Sequence, residues 1–169
     1  SIEDTTENAE QDNQTEEKNI NLSIVKKLKE ILEKEGFTVH LTREKDALLG
    51  PVNSTSKKKD DMIARIEMIS EINPFFTISI HQNSFTDSST SGPQVFYYKD
   101  SEESATMANY YLLTRTPTPT VIVECGFLSN PTEADLLTQD EYQSRVAHSI
   151  FLGILSYYEA STSDQTPSE

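Results

Sequence analysis

The chain has 169 residues, of which 35% are hydrophobic, and this suits one domain with a modest core. Its net charge of −14 argues against a nucleic-acid backbone as a partner. No apolar run approaches the roughly 18 residues that a transmembrane segment needs. Cys125 is the only cysteine, which excludes an intrachain disulfide and a cysteine-cluster zinc site.

The two ends of the chain differ in composition from the body between them. Residues 1–16 are polar, acidic and aperiodic, and they are predicted to form a disordered or loop segment. Residues 160–169 have the same character and are predicted to be a disordered tail. The sequence therefore predicts a single folded domain over residues 17–159.

Helical and strand patterns alternate within this domain. Apolar residues at helical spacing predict helices over residues 18–34, 57–72, 101–113 and 139–158. Short apolar runs predict strands over residues 37–41, 75–80, 94–98 and 120–125. This order predicts an α/β fold, a three-layer sandwich with a mostly parallel twisted sheet and helices on both faces. In such folds, sites lie outside the carboxyl ends of the strands.

Glu124 stands at the end of a nearly continuous apolar strand. Burying a carboxylate there is costly unless a partner or a function compensates for it. One interpretation is a structural ion pair with Arg43 or Arg65. The other is a functional carboxylate whose pKa is raised by burial or that lies near a metal.

His81 and Glu17 are two further candidates. His81 ends its strand, and because side chains alternate along a strand, it shares one face with Thr77 and Ser79. It is either a rim histidine that is hydrogen-bonded to a loop or a functional group at the edge of the sheet. Glu17 opens the first predicted helix, where the helix dipole alone favours an acid.

Four short segments occur in an order that is typical of one enzyme family. They are Glu17-Lys-Asn-Ile-Asn-Leu22, Gly36-Phe-Thr-Val-His-Leu-Thr-Arg43, Arg65 followed by Ser79-Ile-His-Gln-Asn83, and Val123-Glu-Cys-Gly-Phe-Leu-Ser-Asn130. Together they resemble the zinc-dependent N-acetylmuramoyl-L-alanine amidases of the sporulation and autolysin type, bacterial hydrolases that cut peptidoglycan. The resemblance covers about residues 16–158.

The resemblance implies a reaction and the residues that carry it. A zinc-activated water would cleave the amide between N-acetylmuramic acid and the L-alanine of the stem peptide, with Zn2+ as cofactor. Glu17 and His81 would be zinc ligands, and Glu124 would be the catalytic carboxylate. Three further residues would bind substrate or support the site, namely Asn83, Arg65 and Asn130.

The resemblance also implies a place of action and partners. The protein would act outside the cytoplasm, in the cell wall or envelope of a bacterium. Its partner would be peptidoglycan or a muropeptide and not nucleic acid, and the chain would be a monomer without a transmembrane segment.

One family feature is not found in these 169 residues. The Gly-His-Gly-Gly-like segment, whose histidine binds zinc in the family, has no match, and neither His40 nor His148 fits its position. The alternative function is therefore a catalytically inactive amidase-like module that binds muropeptide or regulates cell-wall turnover. Glu124 favours the enzyme, since a pure binder has less need of a buried carboxylate. A different zinc peptidase-like hydrolase is disfavoured by the segment over residues 123–130.

Overall fold

A computed structural model describes residues 3–45, 47–51, 53, 55–97 and 111–163, and the structural statements below concern these residues. This part of the chain contains helices together with a small sheet, which confirms the α/β class. The elements are α1 (Glu3–Lys34), α2 (Lys57–Ile72), β1 (Thr77–Asn83), β2 (Gln94–Tyr97), α3 (Tyr111–Arg115), β3 (Thr120–Phe127), α4 (Pro131–Thr138) and α5 (Asp140–Ser163).

The sheet has three strands in the order β1-β3-β2 within the described residues. β1 pairs with β3 in parallel, and β2 pairs with β3 in antiparallel orientation. β3 lies in the centre and is largely buried, as its apolar sequence predicts. The sheet is thus mixed in this part of the chain, and the mostly parallel, three-layer arrangement stays a prediction.

The strand predicted over residues 37–41 is not a strand, and that prediction is wrong. After α1 ends at Lys34, the backbone turns at Gly36, which has a φ of +88°, and residues 37–41 do not join the described sheet. A strand exists only through its hydrogen-bonding neighbour, and a cavity lies between residues 37–43 and β1. The residue pattern predicted a strand, but it could not reveal that no described strand pairs with it.

Both ends of the predicted domain are more helical than expected. α1 begins at Glu3, so the loop predicted over residues 1–16 is helical from residue 3 onward. α5 extends to Ser163 and takes in the start of the predicted tail. Most of the helix predicted over residues 101–113 lies outside the described residues.

The core forms where α1 and α5 pack together and against the sheet. Residues at i, i+4 spacing give α1 one apolar face, which is buried. It meets the inner face of α5 and side chains from β1 and β3. The main buried residues are Ile20, Ile24, Leu28, Leu32, Ile80, Val123, Cys125, Leu137, Ala147, Phe151 and Ile154.

Other features of the helices follow from local sequence. Asn73 ends α2 in the left-handed conformation, with φ of 48°, directly before Pro74.

Among the described residues, no helix combines the length and the apolar character that a membrane crossing requires.

Ile24 is the residue through which the packing of α1 can be tested, since its exposed fraction is 0%. We expect Ile24→Ala to lower the free energy of unfolding by about 2–5 kcal/mol, because it leaves a cavity between α1 and the sheet. Urea denaturation measures this change. Leu152→Ala, at a position that is 50% exposed on α5, is the control and should change stability by less than about 0.5 kcal/mol. Equal losses in the two variants would contradict this description of the core.

Candidate active site

Glu17 and His81 meet at the carboxyl end of β1. The Oε1 atom of Glu17 lies 3.4 Å from Nδ1 of His81. Asn21 Nδ2 donates a hydrogen bond to the same oxygen at 3.2 Å, and the backbone N–H of Gln82 donates to it at 3.5 Å. The side chains of His81 and Glu17 are 44% and 30% exposed, so the pair is reachable from solvent. The prediction that Glu17 opens a helix is wrong, because α1 begins at Glu3 and Glu17 lies within it. Its closeness to His81, which the resemblance implied, is present.

The imidazole of His81 is held at both nitrogens. Its Nε2 atom lies 2.9 Å from Oγ of Ser79, two positions earlier on the same face of β1. The two contacts orient the ring along the edge of the sheet. With a contact at each ring nitrogen, the orientation of the imidazole is defined by Ser79 on one side and Glu17 on the other.

Glu17 is favoured in its charged form. Burial by itself raises the pKa of Glu17, but the hydrogen bond and the charge of His81 act against it. The hydrogen bonds from Asn21 and from the Gln82 backbone add to that effect, and the pKa is lowered from its ordinary value. An ionised carboxylate beside an imidazole is a pair of donors suited to a cation.

Glu124 stands beside His81 across the parallel pairing of β1 and β3, because the two residues are register partners. On its other side, Gln94 of β2 is its partner. Its Oε2 atom is buried and has no hydrogen-bond partner among the described residues. Burial raises the pKa of Glu124, the charge of His81 lowers it, and the charge of Glu17 raises it further, with a net rise.

A structural ion pair does not account for Glu124. Arg65 donates to Asp61 Oδ2 at 2.8 Å and to Thr42 Oγ1 at 2.7 Å. Arg43 donates to the backbone carbonyl of Lys18 at 2.8 Å. A half-buried carboxylate with a raised pKa and an unpaired oxygen is instead suited to take up and release a proton.

Arg65, a predicted site residue, supports the chain segment that follows residue 41. Its partner Asp61 also accepts a hydrogen bond from the Leu49 backbone N–H at 2.7 Å. Burial raises the pKa of Asp61, but the Leu49 N–H and Arg65 outweigh it and the pKa is lowered. Gly50 packs against the backbone of α2, where a Cβ atom would lie only 2.8 Å from the Asp61 nitrogen. This tight contact fixes the loop on α2.

Asn83 and Asn130 hold backbone at the rim of the sheet. Asn83 donates to Gln94 Oε1 at 2.9 Å, which links the end of β1 to the start of β2. Asn130 caps α4, because its Oδ1 accepts hydrogen bonds from the N–H groups of Thr132 and Glu133 at 3.0 and 3.2 Å. These contacts hold the end of β1, the start of β2 and the start of α4 in place near Glu124.

Glu133 is a supporting residue that the sequence interpretation missed. Its two carboxylate oxygens accept hydrogen bonds from the backbone N–H groups of Gly92 and Phe127 at 2.9 and 2.8 Å. It thereby joins the loop before β2 to the end of β3. The signal was present, since Asn130-Pro131 is a helix start and an acid three residues after the cap is typical of a first turn.

The described residues supply only part of a zinc site. Glu17 and His81 are two donors of the kind that zinc prefers, yet no group of three or more His, Cys, Asp or Glu side chains in this part of the chain is arranged to hold a metal. A catalytic zinc usually has three protein ligands and one open position. The donor set present here is therefore incomplete.

Comparisons with known proteins agree on one family. The family model described as N-acetylmuramoyl-L-alanine amidase matches residues 4–110 and 103–156. The germination-specific N-acetylmuramoyl-L-alanine amidase of Bacillus subtilis is 32% identical in an alignment that covers 84% of this chain and 70% of that protein. The probable cell wall amidase LytH of Staphylococcus saprophyticus is 29% identical over 85% of this chain, which spans 50% of LytH.

Solved structures of amidases are similar as well, and two of them are described here. The CwlD amidase from Clostridioides difficile, solved in complex with the GerS lipoprotein, has a TM-score of 0.78 and 36% identity, covering 85% of this chain and 87% of that one. The catalytic domain of the CwlV amidase from Paenibacillus polymyxa has a TM-score of 0.68 and 26% identity, covering 85% of each chain.

The unpaired carboxylate of Glu124 leads to a prediction about stability. A raised folded-state pKa contributes stability that is present below the unfolded pKa, near 4.3, and is lost as the pH rises through the folded value. Glutamine has no charge to bury, so Glu124→Gln avoids the stability that the native chain loses as the pH rises. We expect the free energy of unfolding of the variant to exceed that of the native chain by about 1 kcal/mol at neutral pH and to equal it near pH 4. Urea denaturation with a chelator present, repeated across this pH range, measures the difference.

Glu159→Gln, on the exposed face of α5, is the matched control for this measurement. Its free energy of unfolding should differ from that of the native chain by less than about 0.5 kcal/mol between pH 4 and neutral pH. A Glu124→Gln variant that is less stable than the native chain at neutral pH would show that the carboxylate has a stabilising partner.

Proposed function

The chain belongs to the N-acetylmuramoyl-L-alanine amidase family, and we propose that it hydrolyses the amide between N-acetylmuramic acid and the L-alanine of the peptidoglycan stem peptide. The observation that carries this proposal is the meeting of Glu17, His81 and Glu124 at one edge of the sheet. Each comes from a separate element, and their positions correspond to three of the segments that resemble the family.

Glu124 is proposed as the catalytic carboxylate. Its unpaired, buried oxygen and raised pKa suit a group that takes a proton from the attacking water and delivers it to the leaving amine. His81, which is proposed as a zinc ligand, is its register partner on the neighbouring strand. The three side chains share the carboxyl end of the parallel strand pair, where α/β folds place their sites.

Zinc is proposed as the cofactor, and Glu17 and His81 are the residues that would hold it. A bound zinc polarises a scissile carbonyl and lowers the pKa of a bound water to about 7. The lowered pKa of Glu17 supports its role as a ligand, because only the ionised carboxylate binds a metal. Since the described residues supply two donors, the proposal includes a third donor from elsewhere.

The second candidate is an inactive amidase-like module that binds muropeptide or regulates cell-wall turnover. The observation that favours it is the incomplete donor set. The two candidates differ in what they require of Glu124, since a binding module does not need a proton acceptor at this point. Either one would act outside the cytoplasm on peptidoglycan, as the family's cell-wall role suggests. Asn83, Arg65 and Asn130 would support the site in both, through the contacts described above.

The catalytic assignment predicts that Glu124→Gln loses about 10²–10⁴-fold in turnover while its zinc affinity stays unchanged. The reason is that glutamine keeps the shape of the side chain but cannot accept the proton. The measurement is the release of new L-alanine amino termini from purified peptidoglycan with zinc added. Glu159→Gln is the control and should retain full turnover.

Other outcomes of that experiment separate the alternatives. A native chain that binds muropeptide but releases no amino termini, at any zinc concentration, would favour the inactive module. A Glu124→Gln variant that loses zinc would make Glu124 a ligand and contradict its assignment as the proton acceptor.

The metal assignment predicts that Glu17→Gln and His81→Ala each weaken zinc binding by at least about tenfold, since each removes one of a small set of donors. Titration calorimetry with zinc measures the affinity without reference to activity. His148→Ala is the matched control, because His148 lies on α5 against Phe151, with ring centroids 5.9 Å apart. Equal affinities for His81→Ala and His148→Ala would exclude His81 as a ligand.

A further inference from the structure

Gln94 lies at the edge of the sheet that carries the candidate active site. β2 runs antiparallel to β3, so its first residue stands at the same edge as the carboxyl ends of β1 and β3. Gln94 is the register partner of Glu124, and Glu124 is in turn the register partner of His81. Register partners project from the same face of a sheet, so the three side chains form a row with Glu124 in the middle.

The backbone at Gln94 is fixed on both sides. Gly92, two residues earlier, has a φ of +102° and donates its N–H to Glu133 Oε1 at 2.9 Å. From residue 94 onward, β2 is paired with β3. The side chain of Gln94 is nevertheless exposed. An exposed side chain on a fixed backbone can meet a ligand at a small cost in conformational entropy.

Two hydrogen bonds in series fix the direction of the Gln94 amide. The backbone N–H of Ser84 can only donate, and it donates to Oδ1 of Asn83 at 2.8 Å. The other end of the Asn83 amide is therefore its NH2 group, which donates to Oε1 of Gln94 at 2.9 Å. The NH2 group of Gln94 is in consequence turned away from Asn83. Because the series starts from a backbone donor, neither amide can be reversed without the loss of a hydrogen bond.

The NH2 group of Gln94 is a donor without an acceptor in the part of the chain that the structure describes. The hydrogen bond between Asn83 and Gln94 joins two exposed groups, and such a bond adds little to stability, because water can replace either partner. Its main effect is to orient the free donor. A donor that is exposed, oriented and unused suits a group that binds a ligand.

The order of the row matches the order of groups along the proposed substrate. Glu17 and His81, the proposed zinc ligands, stand at one end, where the scissile carbonyl would lie. Glu124 in the middle would deliver a proton to the leaving amine. Neighbouring strands are about 4.8 Å apart, so Gln94 lies one strand spacing beyond Glu124, on the side of the leaving group. The first hydrogen-bond acceptor beyond the scissile nitrogen is the backbone carbonyl of L-alanine.

We propose that the NH2 group of Gln94 binds the stem peptide by donating a hydrogen bond to the backbone carbonyl of its L-alanine. Gln94 is thus a substrate-binding residue that places the leaving amine beside Glu124. Asn83 is a positioning residue, since it acts only through the orientation of Gln94. The inference rests on the proposed peptidoglycan substrate, which the enzyme and the inactive module share.

Ligand binding without turnover tests the proposal. The protein is the full chain with its native residues, kept free of metal by a chelator so that no bond is cut. One probe is N-acetylmuramoyl-L-alanine methylamide, and the other is the ethylamide of N-acetylmuramic acid, which retains only the Cα and the methyl group of the alanine. We expect Gln94→Met to weaken binding of the methylamide about three- to tenfold, the size of one neutral hydrogen bond, and to leave binding of the ethylamide unchanged. Titration calorimetry measures both affinities.

Nuclear magnetic resonance gives a second readout, on the Gln94 side chain itself. In protein labelled with the heavy nitrogen isotope, the NH2 signal of Gln94 is the one that Gln94→Met removes. We expect this signal to shift when the methylamide binds and to stay in place when the ethylamide is added. A residue that only ties β1 to β2 would not give this difference.

Asn83→Asp tests the orientation of the amide. An aspartate cannot donate, so the NH2 group of Gln94 turns towards it and the Gln94 oxygen turns outward. We expect the same loss of methylamide affinity as in Gln94→Met, and no further loss when the two changes are combined. Val95→Ala, at the next position of β2 and 59% exposed, is the matched control and should leave both affinities unchanged. Circular dichroism checks that each variant is folded.

Three results would overturn the proposal. An equal loss of affinity for both probes in Gln94→Met would mean that Gln94 only supports the structure of the site. Full methylamide affinity in that variant, together with an unshifted Gln94 signal in the native chain, would mean that another group binds the carbonyl. The third is a native chain that does not bind the methylamide at millimolar concentration.

Failure of the proposed amidase activity gives a different pattern. A chain that binds the methylamide through Gln94, but releases no amino termini from peptidoglycan with zinc added, is the inactive module with its peptide contact intact. A chain that releases amino termini equally well with and without Gln94→Met, and shows no Gln94 signal shift, is an amidase whose stem-peptide contact lies elsewhere.

Discussion

The parallel pairing of β1 with β3 is the constraint on which the site depends. It sets His81 opposite Glu124, and the register changes directly afterwards, between His81 and Asn83. A slip of one residue would turn one of the two side chains to the other face of the sheet. The burial of β3 and its contacts with the core prevent such a slip, so the packing of apolar strand residues decides where the polar ones meet.

α1 contributes the third member of the site through the same core. Its apolar face packs against α5 and the strands, which brings Glu17 to the end of β1. A short polar network then fixes it, since Gln82 donates to Asn21 and Asn21 donates to Glu17. This network lowers the stability of the fold, because Oε1 of Gln82 is buried without a hydrogen-bond partner among the described residues. Unsatisfied groups of this kind are found where position matters more than stability.

The sequence predicted those parts of the fold that depend on local pattern. The bounds of α2 match the prediction, and the candidate residues His81 and Glu124 meet because the ends of parallel strands share one edge. Residues 37–41 were predicted incorrectly because a strand is defined by its neighbour, and no residue pattern reveals whether that neighbour is present. α4 was not predicted, although Asn130-Pro131 is a helix start, because the strand before it dominated the interpretation.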